Sequence, residues 1–198
     1  MRRSFWSFIF MVLKETYWLI ITVFIFIYLV FLNGSFVLGD KSAHEVVLHI
    51  PQLLYFSLFT SIFAFPLCIN PCLDLLKSNW KTRIVLVLSA FVITIIVSVN
   101  TMAHLFLLSD NRHFTFYIWK RIFDKPYRKF IPVPMYVVSM YCIFSNLSHV
   151  DGYIKVGYLI STILCLVPHK LLEFRYFIVP YLLYNIEIGT KQTGWQLA

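Results

Sequence analysis

The chain has 198 residues, of which 60% are hydrophobic and 13% are charged. A soluble domain is closer to half apolar and a quarter charged, so this composition excludes an ordinary soluble protein and indicates an integral membrane protein. The mean hydropathy of +0.77 agrees. The formal net charge is +8, but the basic residues are scattered between apolar stretches, so attraction to lipid headgroups fits better than nucleic-acid binding.

Six apolar stretches are candidates for transmembrane helices, each of which needs about 20 apolar residues unless its flanks help. They lie near residues 17–32, 50–69, 84–108, 131–147, 153–167 and 176–188. Residues 5–13 are interpreted as an interfacial helix that leads into the first span. The predicted fold class is therefore an all-α polytopic membrane protein, with a helical region over 1–188 and a polar tail over 189–198.

The loop after the first span contains GDKSAHEVVLH, residues 39–49. Asp40, His44 and Glu45 are candidates for acid or base chemistry, because proton transfer needs such groups within hydrogen-bond reach of the reacting atom. The alternative is a solvated loop that caps the second helix, with Ser42 and Glu45 at the spacing of a capping box.

The segment after the third span begins with Asp110-Asn111-Arg112-His113. The planar guanidinium of Arg112 is suited to gripping two phosphate oxygens, and His113 adds a donor. The alternative is a basic side chain that snorkels to the interface beyond a helix end. A belt of interfacial residues is expected to follow at Tyr117, Trp119, Lys120 and Arg121.

The sharpest cluster lies between the last two spans, in the sequence His169-Lys170-x-x-Glu173-x-Arg175. Charged groups at the edge of a hydrocarbon layer are costly and usually mark a working site. Glu173 is expected to pair with Lys170 or Arg175, which leaves net positive charge for an anion. The alternative is a self-neutralised cluster between two helices.

Other polar groups have plainer interpretations. His49 and His104 are read as satisfied histidines on helix faces, with Asn100 and His104 in the last two turns of the third span. The four cysteines lie in or beside apolar segments and are assigned to packing. The sequence carries no metal- or cofactor-binding pattern.

Orientation relies on Arg2, Arg3 and Lys14, which flank the first span and place the N-terminus in the cytosol. All 17 Lys and Arg residues together divide almost evenly between the two faces, so their number alone does not decide the orientation. Because alternate loops share a face, the three polar clusters are expected to meet on the far side of the membrane. Such a meeting of cations predicts a phosphate-bearing ligand.

Three stretches carry a resemblance to a known family: NGSFVLGDKSAHEVVLHIPQLLYF at 33–56, LSDNRHFTFYIWKRIF at 108–123 and LVPHKLLEFRYFIVPYLLY at 166–184. They resemble the endoplasmic-reticulum alpha-1,2-glucosyltransferases that use dolichyl-phosphate glucose to add the terminal glucose of the lipid-linked oligosaccharide. The resemblance runs over about 7–188. It implies a multi-pass membrane protein of the endoplasmic reticulum that forms part of a GT-C type glycosyltransferase fold, with its site on the lumenal face.

The resemblance also implies an inverting displacement at the anomeric carbon of the donor glucose. Arg112, His113, His169, Lys170 and Arg175 are then phosphate or sugar contacts, whereas Asp40, His44 and Glu45 are secondary candidates for the base. The family's chain is about twice as long, and its acidic first lumenal loop, which is expected to hold the catalytic carboxylate, would precede Met1. We therefore expect a fragment or truncated form whose primary base is absent.

Two functions follow from this reading. The first is glucose transfer from dolichyl-phosphate glucose to the lipid-linked oligosaccharide. The second is an inactive membrane protein that binds a lipid phosphate or a partner protein. Transport is a distant third, because paired half-helices are not evident.

Overall fold

A computed structural model describes residues 5–34, 47–104, 107–108, 112 and 114–194, with backbone alone for 5–9 and 190–194. The long elements in these ranges are helices, as the all-α class predicted. They are α1 (Phe5–Asn33), α2 (Pro51–Phe63), α3 (Phe65–Leu76), α4 (Trp80–Asn100), α5 (Phe114–Ile118), α6 (Val133–Leu147), α7 (Gly152–Leu166) and α8 (Arg175–Gly194). A π-helical turn, Trp119–Phe123, continues α5, and a 3-10 turn, Arg128–Phe130, precedes α6.

Helix α1 forms one compact unit by itself, and the residues from 46 onward form the other. The predicted interfacial helix over 5–13 and the predicted span over 17–32 lie in one continuous helix, which contains no glycine or proline to interrupt it. Gly34 ends the helix with φ of +66°, a left-handed conformation that glycine adopts without strain. The 24 residues Phe10–Asn33 are long and apolar enough to cross a membrane.

The second predicted span, 50–69, is broken in the structure. Helices α2 and α3 meet at Ala64 with a bend of 103°. Pro66 follows within the first two positions of α3. Proline has no N–H to donate to the preceding turn, so the helical ladder stops there and a new helix begins.

A second proline lies inside α3 and is compensated by a neighbouring helix. Pro71 cannot donate to the carbonyl of Leu67, four residues earlier. Asn146 of α6 donates its side-chain amide to that carbonyl at 3.1 Å and to the hydroxyl of Tyr184 at 2.9 Å. One amide therefore links α3, α6 and α8 while it satisfies the backbone group that the proline frees.

Helix α4 is capped at its start by Asn79, whose side-chain oxygen accepts from the Thr82 N–H at 3.0 Å. The predicted span over 84–108 is wrong at its end. The helix stops at Asn100, so Asn100 is its last residue and His104 lies in the non-helical segment 101–104.

Helix α6 lies at the centre of the second unit and packs against α2, α3, α4 and α8. Its buried side chains include Tyr136, Cys142 and Leu147, which are at most 1% exposed. They join two apolar clusters, one toward α2 and the 114–123 segment and one toward α7 and α8. The loop between α7 and α8 is thus held against a packed core.

Helices α7 and α8 replace the predicted spans 153–167 and 176–188, and α8 continues past 188 to Gly194. Within the described residues, three helical segments are long and apolar enough to cross a membrane, or four if the bent pair α2–α3 counts as one. The structure therefore supports a helical membrane protein with a smaller set of clear spans than the six that the sequence predicted.

The expected interfacial belt is only partly present. Trp119 is 4% exposed and packs on Phe123 with ring centroids 5.3 Å apart, so it belongs to the core. Tyr117 is exposed, and the Lys120 ammonium lies 5.5 Å from the ring centroid of Phe116. Trp119 begins the π-helical turn, and Phe123 at its other end is also buried.

The cysteines are free thiols, in line with a packing role. The Sγ atoms of Cys72 and Cys142 lie 3.6 Å apart where α3 meets α6. They line a groove of about 590 Å³ between α2, α3 and α6 that also includes Phe65 and Met135. Its walls are almost entirely apolar, which suits contact with hydrocarbon.

We expect Asn146→Leu to destabilise the fold by about 0.6–1.7 kcal/mol, because it leaves the Leu67 carbonyl without its partner. In a Pro71→Ala background the restored N–H of residue 71 takes over that carbonyl, so the cost of Asn146→Leu should shrink. Unfolding in detergent, followed by circular dichroism, measures all four chains of this cycle. Equal costs in the two backgrounds would contradict the compensation.

Candidate functional site

The structure describes four of the residues that the sequence singled out as phosphate or sugar contacts: Arg112, His169, Lys170 and Arg175. His113 and the three candidates for acid or base chemistry, Asp40, His44 and Glu45, lie outside the described residues. Arg112 is described as a turn residue whose immediate neighbours are not. The site is therefore built here from the loop over 167–174, which joins α7 to α8.

The charges of this loop are arranged around one ion pair. Glu173 Oε2 lies 2.7 Å from Arg175 Nη2, which confirms the expected pairing. Glu173 has 26% of its side chain exposed and Arg175 has 68%, so solvent weakens this pair. Because Glu173 pairs with Arg175, the half-buried Lys170 has no carboxylate partner among the residues that the structure describes.

Aromatic stacking fixes the ring of His169. It lies parallel to Tyr176 with centroids 4.8 Å apart and an interplanar angle of 14°. The guanidinium carbon of Arg175 lies 5.8 Å from the centroid of the same tyrosine ring. Tyr176 therefore gathers two of the predicted contact residues around one ring.

The segment that leads into α2 runs beside this loop. The N–H of His49 donates to the carbonyl of Val167 at 2.9 Å, and the N–H of Val47 donates to the carbonyl of Pro168 at 3.3 Å. These two bonds join stretches that are far apart in sequence. The meeting that the sequence predicted for the first and third polar clusters is thus seen for residues 47–49 and 167–169.

Asn100 joins the end of α4 to the segment that leads into α2. Its side-chain oxygen accepts from the Ile50 N–H at 2.7 Å, and its amide nitrogen donates to the carbonyl of Leu48 at 2.9 Å. A single amide thereby pairs with two backbone groups just before α2, as a neighbouring strand would. This is why α4 ends at Asn100 rather than continuing.

Gln52 forms a third connection, between the first turn of α2 and the loop over 169–171. Its side-chain amide donates to the carbonyl of His169 at 3.1 Å and to the carbonyl of Leu171 at 2.9 Å. Gln52 is 1% exposed, so these carbonyls replace water as its partners. We call the set of segments 47–52, 100–102 and 167–171 the three-segment junction.

His49 lies at the centre of the three-segment junction and is fully buried. Its Nδ1 is 3.4 Å from the carbonyl oxygen of His169, and its Nε2 is 3.5 Å from the N–H of Met102. A carbonyl only accepts and an N–H only donates, so both contacts fit a neutral ring that carries its proton on Nδ1. His49 is thus a satisfied histidine, as the sequence indicated, although it lies before the helix and not on its face.

The protonation state of His49 agrees with this geometry. The pKa of His49 is lowered to about 4, chiefly by burial and to a smaller extent by the charge of Lys170, while the hydrogen bond to the His169 carbonyl acts in the opposite direction. The imidazole is therefore neutral near pH 7. The ring of His49 therefore adds no positive charge next to Lys170.

An apolar cavity of about 380 Å³ adjoins this loop. Leu172 and Phe174, which follow Lys170 in the loop, line one part of it. The remaining wall comes mainly from aromatic side chains of α2, α5 and α6, among them Tyr55, Phe59, Phe63, Phe114 and Tyr136. A cationic loop beside an apolar cavity suits an amphiphile with an anionic headgroup.

Sequence reasoning missed Gln52 and the role of Asn100. Gln52 stands alone in the apolar run after Pro51, and a buried amide in such a run is itself a signal, because an unpaired polar group in hydrocarbon is costly. Asn100 was singled out, but its partners were not foreseen.

A family model described as the DIE2/ALG10 family matches residues 2–186, which is nearly the whole chain. The chain belongs to the DIE2/ALG10 family. The expected family of glucosyltransferases is confirmed by relatives that share this name: "Dol-P-Glc:Glc(2)Man(9)GlcNAc(2)-PP-Dol alpha-1,2-glucosyltransferase".

The human relative is 40% identical over 187 residues, which cover 93% of this chain and 40% of the relative. The Drosophila melanogaster relative is 38% identical over 86% of this chain and 38% of its own length. The Arabidopsis thaliana relative is 37% identical over 82% of this chain and 34% of its own length. This member of the DIE2/ALG10 family thus spans about two fifths of the length of these curated relatives. No solved structure gives a significant match.

The lowered pKa of His49 predicts a loss of stability in acid. Between pH 6.5 and about 4 the unfolded chain binds a proton that the folded chain does not, so the free energy of unfolding falls as pH falls, by at most about 3 kcal/mol. Thermal unfolding in detergent between pH 7.5 and 5 measures this slope. His49→Gln should flatten it, whereas His149→Gln, at an exposed position after α6, should not.

Proposed function

We propose that the chain acts in the transfer of glucose, in alpha-1,2 linkage, from dolichyl-phosphate glucose to the lipid-linked oligosaccharide that precedes N-glycans. The observation that carries this proposal is the 40% identity over 93% of the chain to a human protein named as that glucosyltransferase. The cationic loop beside an apolar cavity supports it, because both substrates are lipids that carry phosphate.

The wider setting is part of the same proposal. The region 1–188 would contribute about six transmembrane segments to a GT-C type fold, followed by the tail 189–198. The protein would lie in the endoplasmic reticulum membrane among its lipids, with the three-segment junction on the lumenal side. The helical segments that are long and apolar enough to span a bilayer support the membrane location.

The residues of the chain have distinct roles in this proposal. An acceptor hydroxyl attacks the anomeric carbon of the donor glucose, the bond from that carbon to the phosphate oxygen breaks, and dolichyl phosphate leaves. Negative charge grows on the leaving phosphate, so cations that contact it accelerate the step. Lys170 is the leading contact because Glu173 does not neutralise it, and Arg112, His113, His169 and Arg175 are further contacts.

The hydroxyl proton must go to a base within hydrogen-bond reach. Asp40, His44 and Glu45 are the candidates that this chain offers. The buried His49 is not among them, because its two ring nitrogens already face a carbonyl and a backbone N–H.

The apolar cavity gives the donor lipid a place for its hydrocarbon. Leu172 and Phe174 line it and belong to the loop that carries Lys170. A polyisoprenyl phosphate would then bind with its phosphate at Lys170 and its first isoprenoid units against aromatic side chains.

Glucose transfer is tested by expressing the full chain in cells that lack the family's enzyme. Microsomes from these cells receive dolichyl-phosphate glucose with a labelled sugar and the acceptor oligosaccharide lipid. Label in the elongated oligosaccharide is the expected result. Retained donor binding without transfer would contradict it and favour the inactive lipid-phosphate binder.

Lys170→Ala should raise the donor KM or Kd about tenfold, since a hydrogen bond to a charged group contributes about 1.5–3 kcal/mol. Titration with a short polyisoprenyl phosphate in detergent measures the affinity even where turnover is absent. Lys81→Ala is the matched control, because Lys81 is an exposed lysine in the first turn of α4, at the opposite end from Asn100. An equal loss in both variants would contradict a phosphate contact at Lys170.

A further inference from the structure

We propose that Gln52 is a positioning residue that holds Lys170 in place for the phosphate of the donor lipid. The proposal rests on the function proposed above, because it takes Lys170 as the phosphate contact. It assigns a role in the reaction to a side chain that makes no contact with the reacting atoms.

The argument begins with the two carbonyls that Gln52 holds. The amide nitrogen has two hydrogens, and both are used, one on the His169 carbonyl at 3.1 Å and one on the Leu171 carbonyl at 2.9 Å. The opposite orientation of the amide would place its oxygen against two acceptors, so the contacts themselves fix the orientation. Lys170 lies between these two carbonyls.

The loop has little other regular support. Residues 169–173 are non-helical; apart from the bonds of Gln52, the His169 carbonyl contacts His49 Nδ1 at 3.4 Å and the Glu173 carbonyl accepts from the Tyr176 N–H at 3.2 Å. Holding the peptide plane before Lys170 and the one after Leu171 restrains the backbone between them. The direction in which the Lys170 side chain leaves the loop is thereby restricted.

The position of Gln52 is itself fixed by hydrogen bonds to the residues that precede it. It lies in the first turn of α2, directly after the segment that Asn100 binds at Leu48 and Ile50. The His49 backbone adds a bond to Val167 on the other side. Hydrogen bonds therefore hold the loop against the start of α2 and the end of α4. A loop that is ordered before the ligand arrives loses less conformational entropy on binding.

Burial argues that the interaction matters. Gln52 is 1% exposed, and a buried amide without hydrogen-bond partners is costly. The amide hydrogens of Gln52 keep their two partners only while the loop stays in place. An apolar residue of the same length would fill the space equally well. The amide is thus the part of Gln52 that the loop requires.

The test is a double-mutant cycle on donor affinity. Gln52→Met keeps the length of the side chain and removes both donors. We expect it to raise the Kd of a short polyisoprenyl phosphate about two- to tenfold in the parent chain. The reason is that the Lys170 side chain is then no longer held in place, so its conformational entropy is lost when the ligand binds. In a Lys170→Met background the same change should alter the Kd less than about twofold, because the side chain that Gln52 positions is gone.

A second readout follows the loop without any ligand. In a Lys170→Cys chain, the labelling rate by a charged maleimide reports how freely residue 170 moves into solvent. Gln52→Met should raise that rate severalfold. Asn146→Leu is the matched control, since it removes another amide that binds a backbone carbonyl but lies at the α3, α6 and α8 contact, and it should leave the rate unchanged.

The outcomes separate the two proposals. Equal losses of affinity in the two backgrounds, or an unchanged labelling rate, would overturn the positioning role of Gln52. Unchanged affinity in Gln52→Met together with weakened affinity in Lys170→Met would overturn it too, while the phosphate contact of the proposed function survives. Unchanged affinity in Lys170→Met would overturn the phosphate contact itself, and the inference with it.

Discussion

Backbone N–H and C=O groups need hydrogen-bond partners wherever a helix stops, and inside a membrane protein water is a poor source of them. This chain meets the need with side-chain amides. Asn146 takes the carbonyl that Pro71 frees, Asn100 pairs with the backbone before α2, and Gln52 pairs with the loop after α7. Each amide joins segments that are distant in sequence, so the satisfaction of local groups also assembles the helices.

The arrangement has an electrostatic side. His49 fills the centre of the three-segment junction as a neutral ring, because burial lowers its pKa. Glu173 is held by Arg175, so the positive charge of Lys170 is neither neutralised by that carboxylate nor opposed by a charged imidazole. In the part of the chain that the structure describes, Lys170 thus lacks a carboxylate partner and lies in a loop beside an apolar cavity, and the proposed lipid-phosphate site rests on these two features.

Much of the helical architecture follows from the sequence, because long apolar runs in lipid have few alternatives to the α-helix. The spacing of the charges likewise predicted that Glu173 pairs with Lys170 or Arg175, and the structure shows the pair with Arg175. Hydropathy gave no warning of the break between α2 and α3, since both helices are apolar and Pro66 alone marks it. The end of α4 depends on a side-chain contact between Asn100 and residues 48–50, which no local pattern encodes.

The partners of the Gln52 amide were equally impossible to predict from the local sequence. A single polar residue in an apolar run indicates that a partner exists, but the two carbonyls it binds lie more than 100 positions along the chain. The ion pair of the loop was therefore predictable from its residues, whereas the hydrogen bonds from Gln52 to the loop backbone were not. Residues that hold a site in place leave weaker traces in a single sequence than residues that face a ligand.

The bend between α2 and α3 has a consequence for the lipid around the protein. The two helices have 13 and 12 residues and turn through 103°, so their ends are separated by at most about 24 Å at a rise of 1.5 Å per residue. That distance is shorter than the roughly 30 Å of bilayer hydrocarbon. A span made of this pair alone would be too short for the hydrocarbon layer, and such a mismatch is met by local thinning of the bilayer, by snorkelling of flanking side chains or by association with neighbouring helices.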